Sequence, residues 1–537
     1  MDNQKDLHHR LNQKNFLFFL AIFFLLYIFF SPTFIKANEY AFISTSKNFL
    51  NSNNYYIGYS ESIRAFLIKL PAYFLFNNFN YEIVHKVLKT FSLLFFSYAI
   101  FHFSKSFKIS NVSILISILV FILTKQSYFG TENILSTIEL KTFSYISVIF
   151  AFSFLQKKNV MLSIFLSSFS IYSHFLVGYF WAGALCIFYY LKIKNLKIVF
   201  NFFLKIFLIS IPITVILFYE NYYNFNPLLQ TYYNDIFFER TKGFTTPFTD
   251  SYSIKKSWIF GYIFIFANLN IFIFLKKKLE KNLNNELFLL LILLNIYFFV
   301  LTFFLYFDRN FFLIKFIPFR PESLILLFTL FCIFELIFDW FRKKNIRKQI
   351  SILITIILIS LSPLLLGSNI NLLRVTQIII QKGHITLKDT NKFLKDHLED
   401  NDKDLINWVK KETNEDDIVL FEDGRNLTST NQKDIYLFVR ENNFEISKIL
   451  SSSWETIVNR PAYVTRDVIG GNFNELIDWR KRLEQKNSVY KGKCEVLNNI
   501  PVLYIVAFKK ESKINLDKCF KTSLINFGKY YIYKNKK

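Results

Sequence analysis

Two kinds of polar gap alternate strictly along the first 370 residues, and that alternation constrains the chain more than any single motif. Apolar stretches run at about 16–35, 88–104, 111–127, 142–156, 160–173, 176–191, 199–219, 258–275, 286–307, 322–341 and 349–367. Every second gap is short, basic and nearly free of acid. These gaps hold Lys5, Arg10 and Lys14, then Lys105 and Lys108, Lys157 and Lys158, Lys192, Lys194 and Lys197, Lys276, Lys277, Lys278 and Lys281, and Arg342, Lys343, Lys344, Arg347 and Lys348. The remaining gaps, 36–87, 128–141, 174–175, 220–257 and 308–321, carry both signs. Stretches of this length and apolarity predict an α-helical polytopic membrane protein of about eleven transmembrane helices. The positive-inside rule puts the basic gaps and the N-terminus in the cytoplasm. An odd number of crossings then puts everything after about residue 370 outside, in a multi-pass protein of the cytoplasmic (inner) membrane.

Composition agrees and removes some alternatives. The chain of 537 residues is 52% hydrophobic, with a mean hydropathy of +0.28. Its 69 Phe accompany abundant Ile, Asn, Lys and Tyr, the usage an AT-rich genome supplies, so aromatic richness is not by itself a binding surface. A net charge of +24 would suggest nucleic acid in a soluble protein. Here the Lys clusters flank apolar segments and are anchors near anionic lipid. No A-x-A cleavage pattern follows the first apolar run, so it is expected to remain as a span.

The stretch 160–191 is about 32 residues with basic clusters at both ends, so it must turn back on itself. Ser173-His174 is its polar break, and two helices of about 15 residues rise only about 23 Å each, which implies a thin or partly re-entrant hairpin. In the first long loop, 62–76 has helical apolar spacing, with Pro71 expected to kink it. Residues 1–370 thus form the transmembrane domain, and 371–537 read as a small extracytoplasmic α/β domain. In that domain, helices are predicted at 404–412 and 474–483 and strands at 417–421, 462–465, 502–508 and 530–533. Cys494 and Cys519 would face an oxidising compartment, where a disulfide between them could form, although spacing alone cannot show that they meet.

The candidate chemistry lies in the mixed-sign gaps. Glu39 follows the first span by a few residues and is the candidate general base toward an acceptor hydroxyl; a solvated loop acid is the plainer alternative. Glu132 sits in Gly130-Thr131-Glu132, ahead of Lys141-Thr142, where a helix is expected to start with Thr142 as its cap. Lys141 could hold a phosphate or pair with a glutamate of its own loop. His174 could donate to a phosphate or satisfy backbone groups at the hairpin turn. Arg309 and Arg320 suit phosphate binding, and equally suit salt bridges to Asp308 and Glu322. No His, Cys or acidic cluster has metal-ligand spacing, so no cofactor is indicated and a divalent metal lacks support. Nucleotide-binding and hydrolase motifs are absent.

The pattern resembles the GT-C superfamily of integral-membrane glycosyltransferases. It is most similar to a bacterial branch of uncharacterised members with a Gly-x-Glu loop, a Lys-Thr helix start and a His-centred hairpin. Those read here as Gly130-Thr131-Glu132, Lys141-Thr142 and Ser173-His174-Phe175. In the tail, Trp408-Val409…Thr413, Asn459-Arg460-Pro461-Ala462-Tyr463-Val464 and Trp479-Arg480-Lys481-Arg482 add to the likeness. Many GT-C enzymes carry a second acid in the first loop, whereas Asn38 precedes Glu39 here. The resemblance implies transfer of a sugar, with inversion, from a polyprenyl-phosphate donor to an extracytoplasmic glycan, lipid or protein acceptor in the cell envelope. It implies Glu39 as base, Glu132 on sugar or acceptor, and Lys141 and Arg320 on the donor phosphate with His174 beside them. A polysaccharide ligase or polymerase, a lipid-linked sugar flippase, and a non-enzymatic envelope assembly protein remain as alternatives.

Overall fold

In a computed structural model of the chain, the residues described are 2–31, 37–50, 66–124, 126–129, 134–135, 137–223, 229–245, 252–278, 284–308, 313, 318–343, 400–422, 454–464, 473–520 and 522–535. The eleventh apolar stretch, 349–367, lies outside them, as do Gly130, Thr131, Glu132, Arg309 and Lys315.

The chain divides into two compact units: 1–31, 88–215 and 237–387 form the first, and 32–87, 216–236 and 388–537 the second. The helices before residue 344 are α1 (Asp2–Phe30), α2 (Ala37–Lys47), α3 (Phe66–Asn78), α4 (Tyr81–Phe107), α5 (Asn111–Leu123), α6 (Leu140–Gln156), α7 (Val160–Ser173), α8 (Phe175–Ile193), α9 (Leu196–Tyr223), α10 (Gln230–Thr245), α11 (Tyr252–Lys278), α12 (Asn285–Phe307) and α13 (Glu322–Lys343). Among the described residues, seven helices are long and apolar enough to cross a membrane: α1, α4, α8, α9, α11, α12 and α13. The stretches expected at 111–127, 142–156 and 160–173 fold as the shorter apolar helices α5, α6 and α7. Ten of the eleven expected segments are therefore helical, and seven of those reach spanning length.

Helix ends follow local side-chain chemistry. Ser110, Asn159 and Asn284 each accept a hydrogen bond from a backbone N–H of the first turn of α5, α7 and α12, satisfying donors that have no partner within the helix. Lys194 adopts φ 54° just past α8 and stops it. Pro71 sits inside α3, which continues past it to Asn78.

In the first unit α13 is the hub. Nearly every residue from Glu322 to Ile337 is buried, and α13 packs on α5, α11 and α12. Two acids on it organise neighbouring backbone. Glu335 accepts from the Ser110 backbone N–H (2.8 Å) and from Ser113 Oγ (2.7 Å), capping α5 from another helix. Glu322 accepts from Ser127 Oγ (2.5 Å) and from the Phe129 N–H (2.9 Å). The helices α6 and α7 meet through serines. Ser144 and Ser170 hydroxyls are 2.6 Å apart, and Ser163 Oγ donates to the Ala151 carbonyl (2.9 Å). Gly178 of α8 lets α7 approach: a Cβ there would lie 2.4 Å from the Ile171 Cα.

In the second unit the C-terminal part is α/β, as expected. It contains α14 (Asp400–Glu412), β1 (Val419–Phe421), α15 (Trp454–Val458), α16 (Phe473–Tyr490), β2 (Tyr504–Ala507), α17 (Lys510–Leu516), β3 (Ile525–Phe527) and β4 (Tyr530–Lys534). The sheet order is β1-β2-β4-β3, with β1 parallel to β2 and the other pairs antiparallel. Strand alternation splits the core in two. Val419, Phe421, Tyr504, Val506, Tyr530 and Ile532 face Leu405, Val409 and Trp454; Leu420, Ile505, Ala507 and Tyr533 face Val489, Leu497 and Leu516. Of the strand expected at 462–465, the described residues 462–464 make a single parallel bridge, between Val419 and Ala462, and Pro461 just before them removes a ladder donor. The helix α2 belongs to this unit. Ser44 Oγ donates to Glu455 (2.5 Å) and Lys47 Nζ to Asn459 Oδ1 (2.6 Å), docking α2 on α15 and the residue that follows it. Cys494 and Cys519 are disulfide-bonded, with Cα atoms 5.2 Å apart.

Candidate functional site

The first cluster lies in the first unit, around the loop that enters α6. The described residues of this loop do not form a solvated lip. Gln126, Ser127, Tyr128, Phe129, Ile134, Leu135, Thr137 and Ile138 are all buried. Gln126 Oε1 accepts from the Ile134 and Leu135 N–H groups (3.0 and 2.8 Å), and Tyr128 Oη donates to Asn295 Oδ1 (3.0 Å). Phe129 stacks on Trp258 with ring centroids 4.3 Å apart. Gly261 makes room for this loop, since a Cβ there would lie 2.5 Å from the Phe129 ring and 2.7 Å from the Tyr128 carbonyl.

At the end of this loop stand Glu139 and Lys141. Lys141 Nζ lies 2.9 Å from Glu139 Oε2, so of the two sequence alternatives for Lys141 the pairing within its own loop is present. Thr137 Oγ1 donates to Glu139 Oε1 (2.5 Å). Thr142 does not cap α6. The helix starts at Leu140, and the Thr142 hydroxyl lies within hydrogen-bonding distance of the Ile134 and Thr137 carbonyls.

Across from them, His174 is the single residue between α7 and α8. Its Nε2 is 2.6 Å from Arg320 Nη1. The Arg320 backbone carbonyl accepts from Tyr145 Oη (2.7 Å), and the Pro318 carbonyl accepts from Tyr297 Oη (3.2 Å). The turn carrying Arg320 is thus held from two helices. Burial, then Arg320, then Lys141 hold the His174 imidazole well below its ordinary value, with Glu139 opposing. The imidazole is therefore neutral near pH 7, and the group of Glu139, Lys141, His174 and Arg320 has a formal charge of +1. A neutral imidazole, a guanidinium and an ammonium together form a donor-rich, poorly hydrated place for an anion.

The second cluster lies in the second unit. Glu39 was expected in a loop at the bundle rim; instead it sits in the first turn of α2 with 1% exposure. The amide dipoles of a helix N-terminus favour a carboxylate there. His85 of α4, 2% exposed, places Nε2 3.3 Å from Glu39 Oε1. The Tyr40 hydroxyl is pushed up by burial, Glu82 and Glu39, so it stays protonated and a donor. Lys69 of α3, which packs on α2, is fully buried.

Of the residues singled out from sequence, Lys141, His174 and Arg320 come together in the first unit, and Glu39 lies in the second. Asp308 caps the end of α12, and its carboxylate accepts from the Leu313 N–H (2.7 Å). Sequence reasoning missed His85, because the helix that carries it was expected to start at 88 and starts at Tyr81. The spacing Tyr81, Glu82, His85, Lys89 at one helix turn was the available signal. Among the described residues no three His, Cys, Asp or Glu side chains gather closely enough to hold a metal ion. No protein-family model matches the chain, and no curated protein matches it in sequence.

Proposed function

We propose that this chain is an integral-membrane glycosyltransferase of the GT-C kind, moving a sugar from a polyprenyl-phosphate donor to an acceptor hydroxyl outside the cytoplasmic membrane. The observation that carries this reading is the half-buried meeting of Arg320, neutral His174 and Lys141 at the mouth of a short apolar hairpin. A phosphate ester attached to a membrane-dissolved lipid needs donors set beside an apolar helix surface, and this cluster supplies them. Arg320 and Lys141 would hold the phosphate, and Glu132, by its place in the same loop, would bind the sugar or acceptor.

The chemistry asked of the protein is modest. The acceptor oxygen attacks the sugar C1 from the face opposite the phosphate. The C1–O bond breaks with its electron pair going to the phosphate, and the hydroxyl proton passes to Glu39, which acts as general base. Configuration at C1 inverts. Guanidinium and ammonium groups stabilise the charge that gathers on the leaving phosphate. The disulfide in the C-terminal part supports an oxidising, extracytoplasmic compartment for it, since such bonds persist there.

The test is incubation of purified protein with radiolabelled undecaprenyl-phosphate hexoses and pentoses in the presence of its own membrane fraction. Transfer by the wild type and its loss in Glu39→Gln is the expected result. No transfer from any donor, or equal transfer by both, overturns the proposal.

A further inference from the structure

We infer that His85 is the positioning residue for Glu39, fixing which carboxylate oxygen takes the acceptor's proton; this rests on the transferase reading above.

Both side chains are buried, at 2% and 1% exposure, and Nε2 approaches Oε1 to 3.3 Å. The approach lacks hydrogen-bond geometry, and His85 Nε2 is a buried polar atom with no hydrogen-bond partner. A buried N–H without an acceptor is costly, and a catalytic hydrogen bond that is long without substrate commonly tightens when substrate arrives. The two residues come from separate helices, α2 and α4, so small closure of one on the other would complete the bond. Tyr40, next to Glu39 on α2, feels the charges of Glu39 and Glu82, Tyr81 feels Tyr40 and Glu82, and α3, which carries Lys69, packs on α2, while Lys86 and Lys89 lie further along α4. Lys69 and Lys89 are buried as well. A base for a sugar hydroxyl needs one oxygen anchored and the other directed. An Nε2–H donated to Oε1 anchors it, and the proton leaving the acceptor hydroxyl then goes to Oε2. His85 touches neither donor nor acceptor in this scheme and acts through Glu39.

The test uses full-length protein in the transfer assay above, with kcat and KM measured for His85→Leu, His85→Gln, His85→Asn, Glu39→Gln and the double variant Glu39→Gln/His85→Leu. Gln places an amide N–H where Nε2 stood; Asn is too short to reach Oε1. If His85 positions the base, His85→Leu and His85→Asn lose about 100-fold in kcat with KM changed less than about twofold, while His85→Gln stays within about fivefold of wild type. The double variant is no slower than Glu39→Gln alone, because residues acting as one unit are non-additive. His85→Asn carries the comparison if the leucine variant does not fold. Wild-type rates in both His85→Leu and His85→Asn, equal loss in His85→Gln and His85→Asn, or additive losses in the double variant overturn the inference and leave the transferase standing. A wild type that transfers from no donor overturns both.

Discussion

Arg320 Nη1 and His174 Nε2 lie 2.6 Å apart, and the contact fixes which imidazole nitrogen carries the proton. A guanidinium has only donors, so Nε2 must offer its lone pair and the proton must sit on Nδ1. The approach of the Val177 N–H to Nδ1 at 3.4 Å is then not a hydrogen bond to a lone pair. The neutral histidine beside Arg320 orients the guanidinium without adding a charge of its own. Arg320→Ala is expected to raise KM for the polyprenyl-phosphate sugar by about ten- to hundredfold, the equivalent of one hydrogen bond to a charged group. Steady-state kinetics across donor concentrations check this, and an unchanged KM would count against Arg320 as a phosphate ligand.

The same histidine gives the fold a pH dependence of known sign. His174 is held well below the ordinary imidazole range by burial, Arg320 and Lys141. In the unfolded chain it titrates near 6.5. Below that value the unfolded state gains a proton that the folded state refuses, so stability falls as pH drops, by at most about 1.4 kcal/mol per pH unit from this one group. Thermal unfolding in detergent between pH 7.5 and 5.5 is expected to show a falling midpoint. The fall is expected to be shallower in His174→Gln. Identical slopes in both proteins would show that another group controls the acid limb.

Glu322 illustrates how a buried acid can be structural in a membrane protein. It accepts from Ser127 Oγ and the Phe129 N–H, and so holds the loop that leads to Lys141. Glu322→Ala orphans both donors and is expected to cost about 2–4 kcal/mol. Glu322→Gln keeps one acceptor oxygen and is expected to cost about half as much. Unfolding midpoints of the two variants check the order, and an alanine variant as stable as the glutamine one would refute it.

Helices were legible in the sequence because apolar length sets them directly. The seven spanning helices and the three short ones fall on ten of the eleven stretches read from hydropathy alone. The loops were less legible. The gap that begins at Tyr128 reads as polar and solvated, yet Tyr128 and Phe129 are buried because Asn295 and Glu322, far along the chain, supply their partners. Glu39 was misplaced for a related reason. Ala37-Asn38-Glu39 has no apolar run to mark a helix start, and the docking of Ser44 and Lys47 on α15 and Asn459 stabilises α2 from a distance. His174 and Arg320 were each picked from sequence as polar residues at helix ends, and only the resemblance set them side by side; they meet from positions 146 residues apart. In the α/β part, β3 was missed because Ile525-Asn526-Phe527 is three residues long and pairs only with β4.

Gly178 tests the packing of the hairpin on which His174 stands. A methyl group at this position would lie 2.4 Å from the Ile171 Cα, 2.5 Å from the Ile171 N and 2.7 Å from the Ser170 carbonyl carbon. All three are backbone atoms, so no rotamer change relieves the clash and α7 must move away from α8. Gly178→Ala is expected to destabilise by about 1–3 kcal/mol and to loosen the His174–Arg320 contact four residues away. Gly183, with open space around its Cβ position on the same helix, is the control: Gly183→Ala is expected to be neutral or slightly stabilising. Equal unfolding midpoints for the two variants would show that the hairpin is not packed backbone to backbone.

The Cys494–Cys519 bond connects the proposed sidedness with stability, and one experiment reads both. The two cysteines are 25 residues apart, and the bond lies beside Leu497, Leu516 and Tyr533 in one of the two cores. Closing a loop of that length removes about 3.5 kcal/mol of unfolded-chain entropy in the loop-closure estimate. Cys494→Ser/Cys519→Ser is therefore expected to lower the unfolding midpoint measurably. The bond forms and persists only if this part of the chain is exported, because the cytoplasm keeps thiols reduced. Cells expressing the protein with Cys186→Ser and Cys332→Ser retain only this pair. Maleimide–polyethylene glycol added under denaturing conditions without reductant should then give no mobility shift, and after reduction it should add two labels. Two labels without reduction would place the C-terminal domain in the cytoplasm, reverse the orientation inferred from the basic gaps, and remove the extracytoplasmic acceptor from the proposed reaction.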